Sequence, residues 1–320
     1  MSSESGITDL PTAQKSGEIW FWMTLLGLFL LRVAMGFIGV PPHVAGPLSL
    51  VTTAIIVGAS FFALFQGAKG TWNALKGFIF IGIGILIHGG GIIAINAMKL
   101  QGAPGVFVEV LTQMGVMIWC MGMGALVAIL IKEKNLILPV AIFLAGFDAF
   151  LILTPTTPMA QIAQKNPEVV GNIGMTVPQV KAQNPDEAPK AGIVDMAYVG
   201  PADLFFAATF FVCLYRYKMK AKKTAIILGP VLFLYLILVM SLGIPLPALV
   251  PIGLTVLLVN VGEFRLKKDE KVAVGFVFII ALGLAGFGLY KRTTYEPPVE
   301  EETLIELPGG TPPPELQPQP

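Results

Sequence analysis

Two aspartates stand inside long apolar stretches of the sequence. Asp148 lies in the run LAGFDAFLIL, and Asp203 lies in the run YVGPADLFFAATFF. An ionised aspartate near the centre of a bilayer costs about 2.5–3.5 kcal/mol on insertion scales, so such residues mark functional sites. Two neighbouring carboxylates do not both ionise readily, and one keeps its proton while the other acts as a base. The pair therefore predicts acid–base chemistry within a membrane, with the two residues titrating as one unit.

Proline-broken segments accompany the two acids. Pro201 stands two residues before Asp203 and predicts a kink within a helix, which opens room for water beside the carboxyl. The segment GIPLPALVPIG, residues 243–253, contains three prolines that prevent a regular helix start. Irregular backbone at membrane depth is tolerated where it lines a cavity. We expect the two acids and this segment at one level, in the outer half of the membrane.

The composition predicts the elements that position these residues. The chain of 320 residues is 55% hydrophobic and 13% charged, with a mean hydropathy of +0.77, whereas soluble domains average about 25% charged residues. Apolar stretches of about 20 residues recur, and each is long enough to cross a bilayer as a helix. We predict an all-α, polytopic transmembrane helical bundle of about nine spans, at roughly 18–40, 47–66, 77–98, 106–131, 136–154, 193–215, 224–243, 245–263 and 271–290.

Lysine and arginine placement predicts the orientation of the chain in the bilayer. With the N-terminus in the cytoplasm, the inside segments hold 14 Lys and Arg residues and the outside segments hold 6. This asymmetry follows the positive-inside rule. We therefore expect an integral protein of a prokaryotic plasma membrane, with a cytoplasmic N-terminus and an extracytoplasmic C-terminus.

The spans divide the chain into parts of different character. The polar, proline-spaced segment 155–192 is predicted to be an outside loop, of a length that is usually functional or disordered. The expected parts are a cytoplasmic segment (1–17), a four-span bundle (18–131), a core that contains both acids (136–263), a final span (271–290) and a disordered Pro/Glu-rich tail (293–320).

The other polar residues of the spans have simpler interpretations. Asp195 is a rival partner for Asp203, but we expect it to be solvated or to cap the sixth helix. His88 lies among glycines and is predicted to be a hydrogen-bonded, structural histidine. Arg32 and Glu109 are expected either to pair or to extend toward an interface.

Several classes of chemistry have no support in the sequence. No His, Cys or Asp cluster has metal-ligand spacing, and no phosphate loop, GxSxG motif or HExxH motif occurs. Cys120 and Cys213 lie in separate predicted spans and are expected to be buried, inert thiols. The net charge of +1 gives no indication of nucleic-acid binding. We therefore predict no metal, no cofactor and no nucleic-acid partner.

The order of the motifs resembles that of the GxGD intramembrane aspartyl proteases, the family of presenilin, signal peptide peptidase and their microbial relatives. The motifs are FD at 147–148, GPAD at 200–203 and PAL at 247–249, where the family has Tyr-Asp, Gly-x-Gly-Asp and Pro-Ala-Leu. The resemblance covers residues 136–263. Phe147 and Ala202 depart from the family pattern, four spans rather than five precede the first acid, and one extra span follows the PAL segment.

The resemblance implies a presenilin-like catalytic core and an intramembrane endopeptidase activity. It implies that Asp148 and Asp203 are catalytic and activate a water molecule to cleave transmembrane segments of membrane proteins or signal peptides. It also implies substrate contacts for four residues, with the substrate held as an extended strand: Gly200, Pro247, Ala248 and Leu249. The implied partners are transmembrane substrate helices and the lipid bilayer, and a homo-oligomer and accessory subunits both stay open.

Two other functions fit the same residues. A secondary transporter or channel also builds an ion site from broken helices and intramembrane carboxylates. Against it, the sequence has no visible inverted repeat, and the polar features are expected on the outer side rather than at the midplane. A catalytically inactive, presenilin-like scaffold is the third function. Carboxyl groups that face each other within a few Å favour the protease, and carboxyl groups in separate cavities favour the other two.

Overall fold

Helices dominate the part of the chain that the structure describes. The computed structural model describes residues 10–157, 172–183, 191–242 and 246–295. Its nine α-helices in these residues are α1 (Leu10–Phe37), α2 (Pro42–Gly67), α3 (Ala74–Met98), α4 (Gly102–Leu130), α5 (Ile137–Leu153), α6 (Pro201–Arg216), α7 (Ala221–Leu242), α8 (Leu249–Asn260) and α9 (Lys268–Thr293).

Seven of these helices are long and apolar enough to cross a membrane, so the chain is a polytopic membrane protein. The other two, α6 and α8, have only 16 and 12 residues. At 1.5 Å per residue, α6 is about 24 Å long, which is less than the roughly 30 Å of a hydrocarbon core. Each of the nine predicted spans therefore contains a helix, but two of these helices are too short to span a membrane by themselves.

Four short strands were not predicted: β1 (Gly39–Val40), β2 (Met175–Gln179), β3 (Lys181–Ala182) and β4 (Val194–Val199). In the described chain β2 pairs with β4 in an antiparallel sheet, and β1 pairs with β3 in a parallel one. The run VDMAYV of β4 was predicted to begin the sixth span, because a short apolar run does not distinguish a strand from a helix. We call the end of the bundle with these strands the strand side, and the opposite end, where α2 ends and α3 begins, the lysine side.

The β2–β4 sheet extends into the helical bundle. Met175 is fully buried, and its sulfur lies 3.5 Å from the Ser60 hydroxyl. The backbone N–H of Thr176 donates to Gln113 Oε1 at 3.0 Å. Ser60 and Gln113 both lie well inside their helices, α2 and α4. The strand pair therefore reaches membrane depth, where its backbone is enclosed by protein and its hydrogen bonds are satisfied.

Close helix contacts occur at glycines, as is common between membrane helices. The most extensive contacts join α3 to α4, α5 to α9, and α4 to α6. A Cβ atom at Gly124 of α4 would lie 2.5 Å from the carbonyl oxygen of Phe205 in α6. A Cβ atom at Gly146 of α5 would likewise lie 2.5 Å from the Cα atom of Ala281 in α9. The final span is thus packed directly against the helix that carries Asp148.

Some of the remaining predictions concern described residues, and others concern residues outside the described chain. Cys120 and Cys213 are buried free thiols, as predicted. His88 is held at Nδ1, which lies 3.3 Å from the carbonyl oxygen of Thr112, in agreement with a structural role. Much of the predicted loop, at 158–171 and 184–190, and the tail beyond residue 295 lie outside the described residues.

Candidate active site

Asp148 lies in α5 and caps the start of α8. Its Oδ2 atom accepts a hydrogen bond of 2.9 Å from the backbone N–H of Leu249. Leu249 is the first residue of α8, and an N–H group at this position has no partner within its own helix. A carboxylate also interacts favourably with the positive end of a helix. The PAL segment is therefore joined to the first acid through its backbone.

The remainder of the PAL segment is irregular, as the three prolines predicted. Pro247 and Ala248 precede α8 and are half-buried, whereas Leu249 is buried. Pro251 falls in the first turn of α8, where a proline removes no helical hydrogen bond. Residues 243–245 lie outside the described chain.

Asp203 lies in the first turn of α6, and this corrects two predictions. Gly200 is the N-cap residue and Pro201 is the first residue of the helix, a position that suits the fixed φ angle of proline. Pro201 therefore starts the helix and does not kink it. Asp203 stands three residues into α6 and not about ten residues into a long span, because β4 takes up the preceding residues.

Gly200 leaves space for the Asp203 carboxyl group. A Cβ atom at Gly200 would lie 3.1 Å from Oδ2 of Asp203. The Gly200 φ angle of −61° is accessible to any residue, so the role of this glycine is steric rather than conformational. A side chain here would press on the carboxyl group of the second acid.

The structure brings the two acids together. The negative charge of Asp148 acts on the Asp203 carboxyl group, and both side chains are half-buried. The Cys120 thiol lies 3.5 Å from the Pro201 carbonyl oxygen, and Cys120 stands in the interior of α4. The pair therefore lies nearer the middle of the bundle than the predicted outer half, because α6 begins inside the bundle.

Tyr235 is a site residue that the sequence reasoning missed. It lies in α7, and its buried hydroxyl group has no hydrogen-bond partner among the described residues. The charges of both Asp148 and Asp203 act on this hydroxyl group. The signal in the sequence is a lone tyrosine in the apolar run VLFLYLILVM. Phe147, by contrast, is 39% exposed and stacks on Phe143, with ring centroids 5.8 Å apart.

Asp195 lies in β4 and is exposed, so it is solvated, as one of the two predicted alternatives stated, and it does not cap α6. Partial burial raises the pKa of Asp195 above its usual range, although Thr176 and Arg32 oppose the shift.

Arg32 is only 1% exposed, and its Nε and Nη2 atoms have no partner in the described chain. The charges of Glu109 and Asp195 act on Arg32, but Arg32 makes no ion pair with a described residue. It therefore follows neither prediction, pairing with Glu109 or extension toward an interface.

An apolar groove of about 300 Å³ adjoins the two acid-bearing helices. It lies on the lysine side of the acids, about one turn before Asp148 in α5 and one turn after Asp203 in α6. The groove is lined by Pro139, Val140, Phe143 and Leu144 of α5, Phe206 of α6 and Val277 of α9.

The described residues contain no group of three His, Cys, Asp or Glu side chains that is close enough to hold a metal ion. Comparison with protein-family models, with curated proteins and with solved structures finds no match to this chain. The geometry of the site is thus the basis for inferring its function.

Proposed function

We propose that this chain is an intramembrane aspartyl endopeptidase that cleaves transmembrane segments of membrane proteins or signal peptides. The observation that carries the proposal is the hydrogen bond of 2.9 Å from the Leu249 N–H to Asp148, with Asp203 within electrostatic reach of the same carboxyl group. The interaction of the two carboxyl groups, and the contact of one of them with the start of α8, support this proposal over acids in separate cavities.

The chemistry follows from two carboxyl groups that share one negative charge. The ionised member removes a proton from a water molecule, and the water oxygen attacks the scissile carbonyl carbon. The protonated member donates a hydrogen bond to the carbonyl oxygen and stabilises the charge that develops there. Proton transfer to the leaving nitrogen then breaks the C–N bond. We propose that the Tyr235 hydroxyl group, on which the charges of both acids act, donates a further hydrogen bond to the ionised pair.

A helical substrate must be unwound before this attack, because its carbonyl groups are hydrogen-bonded within the helix. The apolar groove between α5, α6 and α9 offers a surface on which an apolar segment can lie beside the acids. The irregular backbone at Pro247 and Ala248 offers main-chain groups to an unwound strand. Binding and unwinding thus fall on opposite sides of the acid pair.

A transporter is the second candidate, and one observation favours it. The acid pair lies near the middle of the bundle, which is where secondary transporters hold substrates and ions beside broken helices. The expected position of the acids in the outer half of the membrane therefore no longer argues against a transporter. The absence of a visible inverted repeat in the sequence still opposes it.

The test is cleavage of single-span reporter substrates by the purified full-length protein in detergent. Asp148→Ala and Asp203→Ala are compared with the wild type, and Asp195→Ala serves as the matched control because it removes a third acid close to the pair in sequence. We expect cleavage by the wild type and the control, and none by the two dyad variants. Thermal unfolding shows that each variant is folded.

Cleavage that survives either dyad substitution contradicts the mechanism. If no form cleaves, proton and cation flux is measured in liposomes. Flux that requires Asp148 and Asp203 replaces the peptidase with the transporter.

A further inference from the structure

A large cleft opens on the lysine side, far from the two acids. Its volume is about 820 Å³, and we call it the lysine-side cleft. The connection 68–74 between α2 and α3 forms one wall. The ends of α4 and α6 form the other, at Ile129, Tyr215 and Arg216, and Ser16 of α1 borders it. The mechanism proposed above uses none of these residues.

The cations of the lysine-side cleft have only neutral partners in the described chain. The Lys69 ammonium group donates to Gln66 Oε1 and lies 4.8 Å from the centre of the Phe65 ring. Arg216 Nη1 donates to backbone carbonyl oxygens, at 2.9 Å for Ala128 and 3.3 Å for Ile131. Neither residue forms an ion pair with a described acid. Two positive charges therefore border the cleft without a negative charge to balance them.

The electrostatics around Lys69 favour an anion in the cleft. Burial and the charge of Lys222 together lower the pKa of Lys69 from its usual range. No described residue that lines the cleft is acidic. Glu18 approaches Gly70 but is paired with Lys76, and Glu133, which acts on Tyr217 next to Arg216, is exposed to solvent. An anion would relieve the repulsion between Lys69 and Lys222.

The position of the cleft selects a lipid as the source of that anion. It lies where α2 ends and α3 begins, at the boundary of two apolar helices. Trp72 and Tyr215 line it, and such aromatic residues are enriched at the headgroup level of membranes. Ala74, the first residue of α3, lines the cleft, and the first turns of α3 carry an open face, with Leu75 70% exposed and Phe78 63% exposed. Acyl chains can lie along this face while the headgroup enters the cleft.

We propose that the lysine-side cleft binds the phosphate headgroup of an anionic phospholipid, with Lys69, Arg216 and Lys222 as the cations that recognise it. The acyl chains pack on the exposed face of α3. Recognition is by charge, because Lys69 and Arg216 line the cleft, the charge of Lys222 acts on Lys69, and the lining contains no described acid to repel the headgroup. A zwitterionic lipid presents the same phosphate but adds a positive group, so it binds more weakly.

Native mass spectrometry of the full-length protein in detergent tests this proposal. Dioleoyl-phosphatidylglycerol is titrated in competition with dioleoyl-phosphatidylcholine, and the retained lipid is counted. We expect the wild type to prefer phosphatidylglycerol. Each removed charge weakens binding by about fivefold, so Lys69→Gln combined with Lys222→Gln reduces the affinity roughly tenfold or more. Lys222→Gln alone, at an exposed position that does not disturb folding, reduces it several-fold.

Lys268→Gln combined with Lys271→Gln is the matched control, because both lysines are exposed and lie on the lysine side at the start of α9. The control is expected to keep the preference of the wild type. An unchanged affinity for phosphatidylglycerol in the Lys69 and Lys222 double variant overturns the proposal. Displacement of bound lipid by millimolar inorganic phosphate or glycerol phosphate overturns the assignment to a lipid and points to a soluble phosphate ligand instead.

Discussion

Asp148 and Asp203 reach the same place from two different kinds of structure. Asp148 stands inside the regular helix α5, and its position is fixed by a contact to another helix, at Leu249. Asp203 stands at the start of α6, directly after β4, and its position is fixed by the local geometry of a helix N-terminus. One acid thus depends on tertiary packing, and the other depends on where a strand ends.

The two helices that carry the acids, α6 and α5, also differ in how far they are enclosed by the rest of the protein. α6 is enclosed, with a continuous buried run from Ala207 to Leu214, and it packs against α4 at Gly124. In α5 only four residues are buried, and this helix packs chiefly on α9 and α8. Asp203 therefore lies on the enclosed helix of the site, whereas Asp148 lies on the more open one. We expect a membrane-embedded substrate to enter beside α5.

The largest effect is expected from Asp148→Asn and Asp203→Asn, which remove the acid but keep its shape. Both should lower kcat by about a thousandfold or more, because members of one catalytic unit fail together. The free energy of unfolding should distinguish the two acids, because Asp148 also caps another helix. Asp148→Ala also removes the cap of α8 and should cost about 1 kcal/mol, whereas Asp148→Asn keeps an acceptor oxygen for Leu249. Cleavage rates and thermal unfolding in detergent measure these effects. Equal stability of the alanine and asparagine variants at residue 148 would show that Asp148 does not stabilise the start of α8.

Tyr235→Phe is expected to have the next largest effect. Loss of a hydrogen bond to a charged group costs about 1.5–3 kcal/mol, which corresponds to roughly tenfold to a hundredfold in kcat. KM should change little, since Tyr235 does not line the apolar groove. Tyr215→Phe at the far end of α6 is the matched control and should retain full activity. A Tyr235→Phe enzyme with the wild-type kcat and pH profile would show that this hydroxyl group is not part of the site.

Gly124→Val and Gly146→Val probe the packing of the two acid-bearing helices. Each added side chain meets atoms of a neighbouring helix at 2.5 Å, and overpacking of this kind typically costs about 1–3 kcal/mol. Gly124→Val should also reduce kcat strongly, because it displaces α6 and Asp203. Gly146→Val should release α9 first and affect kcat less. Gly82→Val in α3, where a Cβ atom meets nothing within 4 Å, is the control. Equal loss of kcat in both variants would contradict the difference between the enclosed α6 and the more open α5.

The smallest effect is expected from Asp195→Asn, which tests the strand before Asp203. The pKa of Asp195 is raised in the folded chain, so folding favours its protonated form. The wild type therefore loses stability as pH rises from the unfolded pKa, near 3.9, toward the folded value. Asp195→Asn should be slightly more stable than the wild type at pH 7, by less than about 1 kcal/mol because the residue is exposed. The difference should vanish at low pH. Unfolding temperatures measured across this pH range provide the check, and a difference that grows at low pH would reverse the sign.

The helices were predictable, and the exact start of α6 was not. Apolar runs of about 20 residues fix the existence of a membrane helix, so the bounds of α3 and α5 fall within a few residues of the predicted spans. The segment from Val194 to Val199 extends the apolar run of α6 to about 20 residues, and pairing with β2 makes it a strand instead. That pairing crosses the polar loop, which a local pattern does not encode.

The chemistry of the site was predictable only in part. An acid in an apolar run is visible in any sequence, and so are the prolines around Ala248. The hydrogen bond from the Leu249 N–H to Asp148 depends on how α8 packs against α5, and the approach of Tyr235 depends on the rotation of α7. The catalytic roles of the acids stay predictions until cleavage is measured.

The pairing of β1 with β3 has a consequence for biosynthesis. Gly39 pairs with Lys181, and the N–H of Gln183 donates to the Val40 carbonyl oxygen at 2.9 Å. The first part of this sheet leaves the ribosome before α2, α3, α4 and α5, and the second part leaves after them. Contacts between such distant residues form late. The nascent chain therefore makes its first five helices before β3 can dock on β1, and this end of the bundle closes only after more than half of the protein has been translated.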